Sequence, residues 1–128
     1  LTNFLDKLNK LKLHPGIVIE INQDFDKNFE LLIKKNLFNT FLIMGYKEGA
    51  GGKKFNPECY NNYTKLKKLI SKYKIKKYNI QFDGGLNNMN IKKFKKLKFN
   101  QVNGWSIIKS EKIFEVIKKY NCLKKFLN

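Results

Sequence analysis

An α/β fold built on a parallel sheet is what this sequence predicts, and three observations predict it. A short β-rich apolar run, a loop carrying Gly or Asn and an amphipathic helical stretch recur in that order four times. Two of those runs end in glycine-rich corners, Gly49-Ala50-Gly51-Gly52 and Asp83-Gly84-Gly85. A length of 128 residues with 42% hydrophobic and 14% aromatic content suffices for one domain and one core and is too small for two, and no low-complexity linker divides it.

Residues 2–12 place Phe4, Leu8 and Leu11 on one helical face, a helix with no strand of its own before it. The first strand is Gly16–Ile21, introduced by the His14-Pro15 breaker; its helix carries Phe25, Phe29, Leu32 and Ile33 at helical spacing. The second strand, Thr40–Tyr46, runs into the glycine loop, after which Asn56-Pro57-Glu58 reads as N-cap, first-turn proline and first-turn acid. The helix that follows buries Tyr63, Leu66 and Ile70. The third strand, Tyr78–Phe82, reaches Asp83-Gly84-Gly85, and its helix aligns Ile91, Phe94 and Leu97. The fourth, Gln101–Asn103, is followed by Gly104-Trp105 and a closing helix capped by Ser110, with Ile113, Phe114, Ile117 and Tyr120 inward. Four parallel strands, each with a crossover helix, form either a small open sheet or half of an eight-stranded barrel.

The formal charge of +17 suggests a polyanionic partner, but all 27 basic residues are lysine. Arginine supplies the planar fork that reads guanine and clamps phosphate, so its absence argues against a specific nucleic-acid reader. The lysines spread along polar helical faces, as at Lys92-Lys93, Lys95-Lys96 and Lys118-Lys119, which reads as solvated surface. Weak polyanion binding at low salt stays open as one function class. Cys59 and Cys122 stand far apart and His14 is the single histidine, so neither a zinc knuckle nor a disulfide framework is signalled, and a reducing, cytoplasmic setting fits. No run approaches the ~18 apolar residues of a membrane span, and Leu1-Thr2-Asn3 opens no signal-peptide pattern. The chain starts without Met, which leads us to expect that something precedes it.

Gly49, Ala50, Gly51 and Gly52 follow a strand and precede a helix, where backbone N–H groups converge and the helix dipole favours an anion. Glycine lets the backbone approach a phosphate with no Cβ in the way, and Lys53 adds charge; the plainer reading is a flexible turn. The tetrapeptide is neither a Walker A loop nor a dinucleotide fingerprint. Asp83 ends an apolar strand directly before two glycines, at the edge of a parallel sheet where catalytic groups collect. A carboxylate there can transfer a proton or ligate a metal; the plainer reading is an Asp-Gly turn. Gly104 makes a third compact turn on that edge.

Taken in order, Met44 with Gly49-Ala50-Gly51-Gly52-Lys53-Lys54-Phe55, then Phe82-Asp83-Gly84-Gly85-Leu86, then Val102-Asn103-Gly104-Trp105-Ser106-Ile107-Ile108 resembles the C-terminal half of ribulose-phosphate 3-epimerase over about residues 14–110. That family's sixth strand ends in Met-Ser-Val-x-Pro-Gly-Phe-Gly-Gly-Gln-x-Phe, its seventh in Val-Asp-Gly-Gly and its eighth in Gly-Ser-Ala-Ile. The resemblance implies a (β/α)8 TIM barrel of which residues 1–128 are a single partial domain, strands five to eight. It implies that Gly49, Ala50, Gly51, Gly52, Gly84, Gly85, Gly104 and Trp105 hold the phosphate of a phosphorylated ketose, mainly through backbone N–H groups. Asp83 then corresponds to a metal-ligating aspartate that also exchanges a proton at carbon 3, with a second acid on the opposite face.

The implied reaction interconverts ribulose 5-phosphate and xylulose 5-phosphate through an enediolate, in the pentose phosphate pathway, with one divalent metal ion (Zn, Fe, Mn or Co) whose site this chain leaves incomplete. The implied partner is the missing N-terminal half-barrel or a second copy of the chain. Departures from the pattern are Gly45 for serine, Tyr46-Lys47-Glu48 in place of the residues before the cradle, Lys53 for glutamine and Trp105 for a phosphate-binding serine. They favour backbone donors over side-chain donors, and leave as alternatives a noncatalytic phosphate-binding barrel remnant and a hexulose-phosphate epimerase.

Overall fold

The computed structural model describes residues 2–46, 54–87, 94, 97–102 and 105–124. In chain order these form α1 (Thr2–Lys10), β1 (Gly16–Ile19), α2 (Lys27–Lys34), β2 (Thr40–Met44), α3 (Cys59–Lys72), β3 (Asn79–Asp83), β4 (Asn100–Val102), α4 (Trp105–Ile108) and α5 (Ile113–Lys124). The strands make one sheet in the order β1-β2-β3-β4, each neighbouring pair parallel. A doubly wound sheet reverses its order at a switch point; here the spatial order follows the chain, as consecutive strands of a barrel do.

Side chains alternate across a strand, and the two sheet faces differ accordingly. Ile19, Phe41, Ile43 and Phe82 are wholly buried on the helix-covered face, in one cluster with Leu5 of α1, Phe29 and Ile33 of α2, and Tyr63, Leu66 and Ile70 of α3. The other face carries Gly16, Val18, Thr40, Leu42, Met44, Asn79, Gln81, Asp83, Asn100 and Val102, aligned by the strand register. Each of these is half-buried or exposed, and none is lysine.

Local chemistry fixes the helix ends. Asp26 caps α2 by accepting the Phe29 N–H at 2.7 Å, and the Phe25 ring lies 4.7 Å from that of Phe29. Asn36 and Lys74, with φ of 51° and 52°, turn the chain out of α2 and α3. Lys72 and the Tyr73 hydroxyl both donate to Glu30 Oε1 at 2.5 Å, clipping α3 to α2. The Lys72 hydrogen bond, then that of Tyr73, holds the Glu30 carboxyl below its ordinary range.

Several expectations are corrected. The first strand stops at Ile19 because the Glu20 and Ile21 carbonyls turn to the Asn62 side chain; the second stops at Met44, and the third runs Asn79–Asp83. The fourth strand is Asn100–Val102; Asn103 and Gly104 lie outside the described residues, as does Ile91. In α1 the inward residues are Leu5 and Leu8, whereas Phe4 and Leu11 are exposed; the helix ends at Lys10, and Lys12 takes φ 58°. Regular α3 begins at Cys59, one turn after Asn56, whose Oδ1 accepts the Glu58 N–H at 2.9 Å. Ser110 does accept the Lys112 N–H ahead of α5. Of the residues expected inward in α5, Ile113, Ile117 and above all Phe114, at 87%, are exposed. Helix α5 packs on α4, and no described strand lies beyond β4 for its apolar face to cover.

Candidate functional site

Met44 and Asp83 are register partners at the C-terminal ends of β2 and β3, and the next residues lock the two ends together. The Gly45 N–H donates to the Asp83 carbonyl at 2.6 Å, and the Gly45 carbonyl accepts the Asn56 N–H at 2.7 Å. The chain therefore leaves the rim at Gly45 and returns to the same point at Asn56. A Cβ on Gly45 would stand 2.1 Å from the Gly84 carbonyl oxygen, so the corner after β3 occupies the space of a side chain at position 45.

Gly84 and Gly85 make that corner with φ of 105° and 72°, the left-handed region that L side chains rarely adopt. The Tyr46 ring covers Gly84, with Cε1 2.7 Å from the site of an added Cβ, and the Phe55 backbone covers Gly85, its nitrogen 2.5 Å from the corresponding point. Beneath the rim lies an aromatic platform. The Phe55 ring is edge-on to Phe94 at 5.1 Å, Phe94 stacks on Tyr60 at 4.3 Å, and Phe82 meets Phe99 at 4.8 Å. Each such pair adds about 0.5–1.5 kcal/mol beyond the area it buries.

Burial pushes the Tyr60 phenol up to about 12, its hydroxyl having no hydrogen-bond partner among the described residues. Burial likewise pushes the neighbouring Cys59 thiol up to about 12, which makes it an inert core residue, since the thiolate is the reactive form.

At the β1 end of the rim, buried Asn62 donates from Nδ2 to the Glu20 and Ile21 carbonyls at 2.7 and 3.1 Å. It floors an open polar cleft of about 360 Å³ lined by Asn22, Gln23, Asp24, Glu58, Asn61 and Lys65. Among the described residues no three His, Cys, Asp or Glu side chains gather to hold a metal ion. His14 precedes β1, at the opposite end of the sheet from Asp83.

Of the residues singled out from sequence, Asp83, Gly84 and Gly85 come together at this rim. Gly49, Ala50, Gly51, Gly52 and Gly104 lie outside the described residues, and Trp105 opens the backbone of α4. Sequence reasoning missed what Gly45, Tyr46, Phe55 and Asn62 do here. Gly45 and Tyr46 read only as departures from a pattern, and the signal for Asn62 lies 42 residues away at Glu20.

Compared with known protein families, residues 1–107 match the one described as Ribulose-phosphate 3 epimerase family. The matched stretch takes in α1, all four strands and most of α4. No curated protein matches the chain. No helix among the described residues is long and apolar enough to cross a membrane.

Proposed function

The chain belongs to the ribulose-phosphate 3-epimerase family, a family of TIM-barrel fold, and from that premise we propose that it supplies the phosphate rim and one proton-transferring acid of an epimerase. The substrates are ribulose 5-phosphate and xylulose 5-phosphate, and the chain corresponds to strands five to eight of the barrel. One observation carries the reading: three consecutive parallel strands bring Asp83 and the Gly84-Gly85 corner against the base of the glycine loop, at one sheet edge.

In this reading Asp83, on the face that a barrel encloses, takes the proton from carbon 3 of the ketose. The C–H pair moves into the enediolate, and a second acid returns a proton from the opposite face, inverting the carbon. Backbone N–H groups of Gly49 to Gly52, Gly84, Gly85, Gly104 and Trp105 hold the phosphate. Their hydrogen bonds keep carbon 3 beside Asp83, where orientation supplies much of the rate. Asp83 alone does not make a metal site among the described residues.

The lysine-free sheet face and the open edges of β1 and β4 support a complementary half-barrel, from another segment or a second copy, which would also bring the second acid. A noncatalytic phosphate binder is the second reading, favoured by Gly45 and Trp105 where the family pattern has serine.

The test follows carbon-3 exchange of ribulose 5-phosphate in deuterated water, with and without divalent metal. Exchange lost in Asp83→Asn, with or without epimerisation in the parent chain, supports the assignment. Exchange that survives Asp83→Asn sinks it, and phosphate-ester binding with no exchange in the parent leaves the noncatalytic reading standing.

A further inference from the structure

We propose that Tyr46 is a positioning residue for Asp83, its ring holding the Asp83-Gly84-Gly85 corner in a single conformation. The inference rests on the reading of Asp83 as the proton-transferring acid and adds a residue to it.

Two adjacent residues of one loop grip two adjacent residues of the other. The Gly45 N–H binds the Asp83 carbonyl at 2.6 Å, which fixes the start of the Asp83–Gly84 peptide. The Tyr46 ring then lies against Gly84, with Cε1, Cδ1 and Cζ at 2.7, 2.8 and 3.1 Å from where a Cβ would stand. The ring thus occupies the side on which a side chain would otherwise restrain the backbone. Two successive glycines sample both signs of φ about equally when nothing covers them, and here both are positive. Phe55 backs Gly85 in the same way, its Cα 2.7 Å from the added-Cβ point. Phe55 itself is seated edge-on against Phe94; Tyr46 is the cover on the Asp83 side.

The consequence reaches the carboxylate because the favoured χ1 of a residue depends on its own backbone dihedrals. With the ring gone, a corner that swings at Gly84 pulls against the Gly45–Asp83 hydrogen bond; as that bond yields, the Asp83 carbonyl turns and its side chain averages between rotamers. A group that transfers a proton to carbon gains from a fixed direction, and a shift of about 1 Å costs on the order of 100-fold in rate. The flat face of the ring, and not the phenol oxygen, is what this role requires.

NMR on the chain decides the matter without reference to substrate. The three-bond couplings from the Asp83 carboxyl carbon to its backbone nitrogen and carbonyl carbon report χ1, and the Gly84 and Gly85 amide shifts report the corner. The parent chain should show a single-rotamer pattern, Tyr46→Phe should keep it, and Tyr46→Ala should lose it to averaged couplings. Unshifted amides at Ile17 and Ile19 confirm that the sheet is intact. Tyr46→Leu keeps apolar volume without a flat face and should also average, so the question is answered if the alanine variant does not fold. A single Asp83 rotamer retained in Tyr46→Leu or Tyr46→Ala would overturn the proposal, as would averaging in Tyr46→Phe. Should Asp83→Asn leave carbon-3 exchange untouched, the functional reading falls while these couplings still decide what Tyr46 does.

Discussion

At position 45 the β-carbon of any other residue would stand 2.1 Å from the Gly84 carbonyl oxygen and 3.1 Å from that of Asp83. Both obstacles are backbone atoms tied into the β2–β3 rim, so relief requires the corner itself to move. Gly45→Ser restores the residue of the family pattern, yet in this chain it should destabilise by about 1–3 kcal/mol, the cost of overpacking a filled site. The measurement is the urea midpoint, expected to fall with an unchanged denaturant slope. A midpoint equal to that of the parent would mean that the corner yields freely. In the sequence Gly45 was legible only as a missing serine; its reason is a contact with a residue 39 positions away, which no local pattern encodes. Asp83, by contrast, was legible because an acid between an apolar run and two glycines is a local signal.

Elements whose partners lie within their own βα unit are legible in the sequence, since burial there follows periodicity: Phe29 and Ile33 in α2, and Tyr63, Leu66 and Ile70 in α3, all point inward. Strand ends are not. The first expected strand ran on to Ile21 because Glu20 and Ile21 continue a β-rich run, while their carbonyls are in fact taken by Asn62, from α3. Asn62, together with the Gln23 N–H that also donates to the Glu20 carbonyl, therefore holds the turn at which β1 ends. Asn62→Ala removes the donor from Ile21 and leaves Glu20 with the Gln23 N–H alone, in a site where Asn62 is 3% exposed, and should cost about 1–3 kcal/mol. Hydrogen exchange gives the discriminating view: faster exchange at the amides of residues 20–24 with β2 and β3 unchanged. Uniform acceleration across the sheet would mean that Asn62 supports the whole fold and not this loop.

For the molecule as a whole, the helices at the two ends of the chain carry information. In the chain α1 precedes β1 and α5 follows β4, and these are the two edge strands of the sheet. Large apolar groups are exposed on the chain stretches beside both: Phe4, Leu11 and Leu13 before β1, and Ile108, Ile113 and Phe114 after β4. With 70% of Ile108 and 87% of Phe114 exposed, burying the pair on association would contribute up to about 3–6 kcal/mol. Mutual repulsion of chains carrying +17 each opposes that contact, and the repulsion is screened within about 8 Å at physiological salt. The chain is therefore expected to self-associate, or to take up a complementary half, more strongly as salt rises, the reverse of an interface held by ion pairs. Sedimentation equilibrium at 50 and 500 mM NaCl should show a mass that climbs above 15.2 kDa with salt. The double variant Ile108→Lys, Phe114→Lys should return toward that mass at both salts while keeping the parent circular dichroism. A monomer at every salt, unchanged by the variant, would mean that neither edge seeks a partner, and the half-barrel reading would lose its support.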